Sequence, residues 1–92
     1  MKLSDRVESF HKLGEAVKAF LVNPSVHEDW NTALRLAEQQ NGWFTRANIL
    51  SALRGIEPWL TTTMLEKWVA TYPKLAKENT RPITISVVMA GN

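Results

Sequence analysis

Near its C-terminus this chain carries the apolar, largely β-branched run Ile83-Thr84-Ile85-Ser86-Val87-Val88-Met89-Ala90, and that run limits the possible folds more than any other segment. Its composition predicts a buried strand. A buried strand must pair its backbone N–H and C=O groups with a neighbour, yet no upstream segment has a similar composition and only Gly91-Asn92 follows. The expectation is a chain cut within a larger α/β body, to whose sheet the strand belongs. Left without that sheet, residues 83–90 are expected to fray or to pair with a second copy of themselves.

Upstream, the apolar period is helical. Val7, Phe10, Leu13, Val17, Phe20 and Leu21 recur at spacings of three and four, which predicts a first helix from Asp5 to about Val22 with Ser4 as its cap. Asn23-Pro24 breaks it. Ser25 followed by Glu28 predicts a capping box at the start of a second helix, with Val26, Trp30, Ala33, Leu34 and Ala37 on one side. Asn41-Gly42 is expected to close that helix through a left-handed glycine. Thr45 is the expected cap of a third helix bearing Ile49, Leu50, Leu53 and Ile56, with Phe44 and Ile49 placed to form a hydrophobic staple. Pro58 ends or kinks it. Thr61 or Thr62 then starts a fourth helix, with Leu65, Trp68 and Val69 inward, up to Tyr72-Pro73.

The expected fold is therefore mainly α: a small four-helix domain over residues 1–72, a linker over 73–82, and the first strand and turn of an α/β domain over 83–92. The linker assignment follows from Lys74, Lys77, Glu78, Asn79, Thr80 and Arg81, which leave no sustained apolar face. A globule from 92 residues buries only about 60 to 65% of the surface its unfolded chain exposes, so the core is small. The four tryptophans fall at helical spacing suited to packing short helices together.

Several chemistries are excluded or disfavoured by composition. The chain has no cysteine, so it holds no disulfide, thiolate metal site or thiol nucleophile. Eleven basic and nine acidic residues, interspersed, give a net charge of +2 and describe a solvated surface. The tryptophans sit at core-facing positions rather than on a basic face, so no nucleic-acid partner is expected. No signal-like segment or stretch of membrane-spanning length appears, and the expected location is the cytoplasm. His11 and His27, the only histidines, read as surface residues. His27-Glu28-Asp29 does not make a metal site, because adjacent helical side chains diverge. Trp43-Phe44 reads as an anchor tucked under the core, with an exposed docking patch as the alternative.

Asn41-Gly42-Trp43-Phe44-Thr45, Leu60-Thr61, Leu65-Glu66-Lys67-Trp68, Tyr72-Pro73 and Ile85-Ser86-Val87-Val88-Met89-Ala90-Gly91-Asn92 together resemble the N-terminal part of bacterial acyl-CoA reductases. These are relatives of the fatty-acid reductase of luminous bacteria, within the aldehyde dehydrogenase superfamily. The resemblance covers essentially the whole chain but a minor portion of such an enzyme, and Pro58 departs from its pattern. It implies a parent that reduces a long-chain fatty acyl-CoA thioester to an aldehyde with NADPH. It also implies that Asn92, directly after the strand, donates its side-chain amide to the oxyanion formed at the thioester carbonyl. This segment contains neither the nucleophile nor a phosphate-binding loop, so alone it is expected to be inactive. The competing expectation is a complete small helical interaction module that adds its C-terminal strand to a partner's sheet.

Overall fold

The computed structural model describes residues 2–77 and 83–89, and is mainly helical, with no strand among the described residues. Four α-helices follow one another: α1 (Leu3–Val22), α2 (Glu28–Gln40), α3 (Arg46–Ile56) and α4 (Thr62–Ala70). Short 3-10 turns lie at Pro24–Val26, Glu57–Leu60 and Pro73–Ala76, each with proline in its first two positions. Proline suits those positions because its fixed φ matches the turn and the missing N–H has no intrahelical partner there.

The helix starts show which local signals hold. Thr45 caps α3, its hydroxyl accepting from the Asn48 N–H at 3.2 Å, and Thr61 caps α4 by accepting from Met64 N–H at 3.3 Å. Elsewhere the expected caps are replaced. Ser4 lies inside α1, whose N-cap is Lys2 without a side-chain bond. The capping box of Ser25 and Glu28 does not form: Pro24 winds Pro24–Val26 into a 3-10 turn, and the Ser25 hydroxyl bonds Asn23 Oδ1 at 2.9 Å. His27 therefore becomes the cap residue of α2. Gly42 takes no left-handed conformation. The turn after α2 is instead held by Asn41, whose Oδ1 accepts from Trp43 N–H at 3.0 Å and whose carbonyl accepts from Phe44 N–H at 2.9 Å. A short polar side chain here closes the turn that glycine was expected to make.

The inner stripe of α1 is rotated from the expected one. Gly14, Val17 and Phe20 are buried, whereas Phe10 and Leu13 are exposed. Gly14 is the reason. A Cβ at this position would lie 2.6 Å from Leu60 Cβ and 2.9 Å from the Leu60 carbonyl oxygen, so the Glu57–Leu60 turn rests directly on the α1 backbone. Only a residue without a side chain permits that approach. The same turn contacts α3 and α4, and α1 also contacts both of those helices.

At the other end of α1, Phe20 is fully buried, stacked on Trp30 with ring centroids 4.9 Å apart and meeting His27 edge-on at 6.0 Å. Leu34 of α2 and Val17 complete this small core. A polar tie runs beside it: Asn31 Nδ2 donates to the Pro24 carbonyl at 2.8 Å, and Arg46 Nη1 donates to Asn31 Oδ1 at 2.8 Å. One side chain thus joins the α1–α2 turn to the start of α3.

The tryptophans divide against expectation. Trp30 packs on Phe20, but Trp43, Trp59 and Trp68 are exposed, Trp43 by 81%. Trp43-Phe44 is not an anchor under the core, and Trp68 does not face inward. The expected linker begins with the ordered turn Pro73–Ala76, while residues 78–82 lie outside the described residues. Ile83–Met89 carry no regular secondary structure and are exposed, so the expected strand is not formed there. The physical reason is that the helical residues offer no strand edge with which this run could pair.

Two measurements test this packing. Gly14→Ala gains helix propensity of about 1 kcal/mol but forces backbone displacement. We expect a net loss of about 1–2 kcal/mol and a fall in Tm of about 5–15 °C by circular dichroism; an unchanged or raised midpoint shows that the turn yields freely. Trp30→Ala is expected to cost about 2–4 kcal/mol through loss of the Phe20 stack. Trp43→Ala should stay within about 0.5 kcal/mol of the parent chain, and equal losses for the two would contradict the division between them.

Candidate functional site

An apolar concavity among the described residues follows from the Gly14 contact. With the Glu57–Leu60 turn seated on α1, Trp59 and Leu60 come beside Phe10, which lies one helical turn before Gly14 on the same face. Thr61 starts α4 immediately after the turn, and Met64, Leu65 and Trp68 of that helix supply the opposite wall. The resulting cleft has a volume of about 520 Å³. Trp68 is backed by Tyr72, with ring centroids 5.3 Å apart at 56°.

The lining determines what this cleft can do. None of its six residues is an acid, a base or a nucleophile, and its side-chain N–H donors are the two indoles of Trp59 and Trp68. It is built to accept apolar surface. Proton transfer and covalent catalysis require groups that these side chains do not possess.

Two smaller, more polar hollows flank the helices. One, of about 450 Å³, lies between the starts of α1 and α4 and is lined by Leu3, Ser4, Val7, Glu8, His11, Thr62 and Glu66. His11 is half-buried there rather than an ordinary surface histidine. Its Nδ1 is enclosed without a hydrogen-bond partner among the described residues, and its Nε2 lies 3.9 Å from Glu15 Oε1. The other, of about 360 Å³, lies at the start of α2 and contains His27, Glu28 and Asp29 between Val26 and Trp30. His27 packs against Phe20 and so is not a free surface group either. Among the described residues no three His, Cys, Asp or Glu side chains gather as a metal site would require.

The ion pairs Glu8–Lys12 and Glu28–Arg35, both at 3.9 Å and exposed, add little stability and mark solvated faces. Among the described residues no helix is long and apolar enough to cross a membrane. Asn92, the residue the reductase resemblance connects with catalysis, lies outside the described residues, as do Ala90 and Gly91. The cleft was not legible as a site in the sequence. Its residues occur at ordinary helical spacing, and the missing signal was Gly14, a glycine amid an otherwise unbroken helical pattern, which marks a close approach. The chain matches no protein-family model, no curated protein and no solved structure.

Proposed function

We propose that this chain is the N-terminal part of an NADPH-dependent acyl-CoA reductase of the cytoplasm, with its helical domain prefacing an α/β catalytic body and residues 83–92 forming that body's first strand and turn. The observation that carries this reading is the state of Ile83–Met89. Ile83, Ile85, Val87, Val88 and Met89 are each at least 69% exposed, an uncharged apolar run with nothing covering it. Insertion into a sheet would satisfy its backbone groups and remove those side chains from water, at about 25 cal/mol for each Å² of apolar surface buried. The motif resemblance ending in Met89-Ala90-Gly91-Asn92 names the kind of sheet.

In that setting the roles are distributed between this chain and the rest of the enzyme. A cysteine thiolate from the rest of the enzyme attacks the carbonyl of a fatty acyl-CoA and expels the coenzyme A thiolate. NADPH held by that body would supply the hydride that takes the enzyme thioester to the aldehyde and returns the thiolate. Asn92 donates its amide N–H to the oxygen that becomes negative in each addition. The 92 residues alone bring no thiol.

A second reading is a small helical interaction module that docks through the same terminal run, and the exposure of Ile83, Ile85, Val87, Val88 and Met89 is what such docking requires. The native reading frame beyond Asn92 separates the two: an in-frame extension containing a cysteine supports the reductase, whereas an immediate stop codon supports the module. In the extended protein, Asn92→Ala should lower kcat for thioester-dependent NADPH oxidation by about 10²–10³-fold. The isolated chain should show no such oxidation with long-chain acyl-CoA. Turnover by the isolated chain, or an extended Asn92→Ala protein with undiminished kcat, would overturn the proposed assignment.

A further inference from the structure

The exposed face around the cleft has a shape and size that point to a specific occupant. Met64 and Trp68 lie four residues apart on α4 and form a ridge of the kind that packs between helices, with the Tyr72 ring, just beyond the helix, set against Trp68. Met64 and Trp68 of that ridge are also one wall of the cleft, whose other wall is formed by Phe10 and Trp59. A ridge next to a groove on one face is self-complementary: a two-fold rotation lays each ridge into the other copy's groove.

The area supports a pair of this kind. Phe10, Trp59, Trp68 and Tyr72 are 51 to 64% exposed. Since an aromatic side chain offers about 150–250 Å², these four leave about 500 Å² uncovered. Leu13, one turn from Phe10 on α1, and Met64 are also exposed and raise this to about 600 Å². Complete burial of two such faces removes about 1,200 Å² from water, which reaches the lower bound of a specific standard interface. Isolated soluble domains rarely leave a contiguous apolar patch larger than this. None of the six residues carries a charge, so no like charges meet among them. Aromatic residues and methionine are also the types enriched at the centres of protein interfaces.

We propose that this face pairs two copies of the chain, α4 against α4 across a two-fold axis, with each Met64–Trp68 ridge seated in the partner copy's cleft. This surface is distinct from residues 83–89 and does not depend on whether the chain belongs to a reductase.

The test is sedimentation equilibrium on the full 92-residue chain, with circular dichroism as a check on folding. The parent chain should have twice the 10.4 kDa monomer mass. Met64→Glu and Trp68→Glu should give monomers of unchanged helicity, because both side chains are exposed in the single copy. The doubly substituted Ile85→Lys, Val87→Lys chain should remain dimeric. A monomeric parent chain at sub-millimolar concentration, or dimers that survive Met64→Glu and Trp68→Glu, overturns the proposal. Loss of the dimer in the tail variant assigns pairing to residues 83–89 and overturns it equally. A readout on the parent chain removes dependence on the variants: a hundredfold dilution should shift tryptophan emission to the red and raise acrylamide quenching as Trp59 and Trp68 become wet. Emission unchanged by dilution counts against the interface.

Discussion

The approach of the Glu57–Leu60 turn to the backbone of α1 at Gly14 is the contact on which most of the architecture depends. Leu60 sits where a side chain on α1 would otherwise stand, with only 2.6 Å to an added Cβ. Because the turn joins α3 to α4, this one seat sets the position of both helices against α1. It also rotates the inner stripe of α1, burying Gly14, Val17 and Phe20 and leaving Phe10 and Leu13 outside. The apolar cleft is a direct consequence, since its two walls come from the helices that meet at this seat.

The second half of the fold relies on different physics. Phe20, packed against Trp30 and His27 and buried like Val17 and Leu34, supplies a compact hydrophobic centre between α1 and α2. Asn31 then links the Pro24 carbonyl to Arg46 and fixes the α1–α2 turn relative to α3. With so few side chains fully buried, stability is concentrated in a small number of contacts. Much of the remaining apolar surface, on the α1–α4 face and in Ile83–Met89, is exposed. A small domain has too little interior to bury all its large side chains, and interfaces are where such surface is covered.

Local punctuation was well encoded. Asn23-Pro24, Thr45, Pro58 and Thr61 each mark a helix boundary, because proline geometry and hydroxyl capping act within a few residues. Other local signals had competitors. Ser25 lost its capping role when Pro24 wound the preceding residues into a 3-10 turn, and Asn41 closed the turn assigned to Gly42. The facing of aromatic side chains was read less well. Trp68 and Phe10 have the spacing of core residues, but two candidate stripes on one helix differ by less than a third of a turn. Which of them faces inward is chosen by the partner that docks, not by the period.

The sequence by itself determined the helical class, the number of helices and most of their limits, since these follow from apolar period and from capping groups adjacent in the chain. It also determined that residues 83–90 form an uncharged, mainly apolar run. Only the tertiary structure decided which face of α1 lies inside, which single tryptophan joins the core, and that Phe10, Trp59 and Trp68 gather into one cleft. Those outcomes depend on a backbone-to-backbone approach at Gly14 between segments more than forty residues apart. A contact of that kind is made by the absence of a side chain, and its partner becomes evident only when the chain has folded.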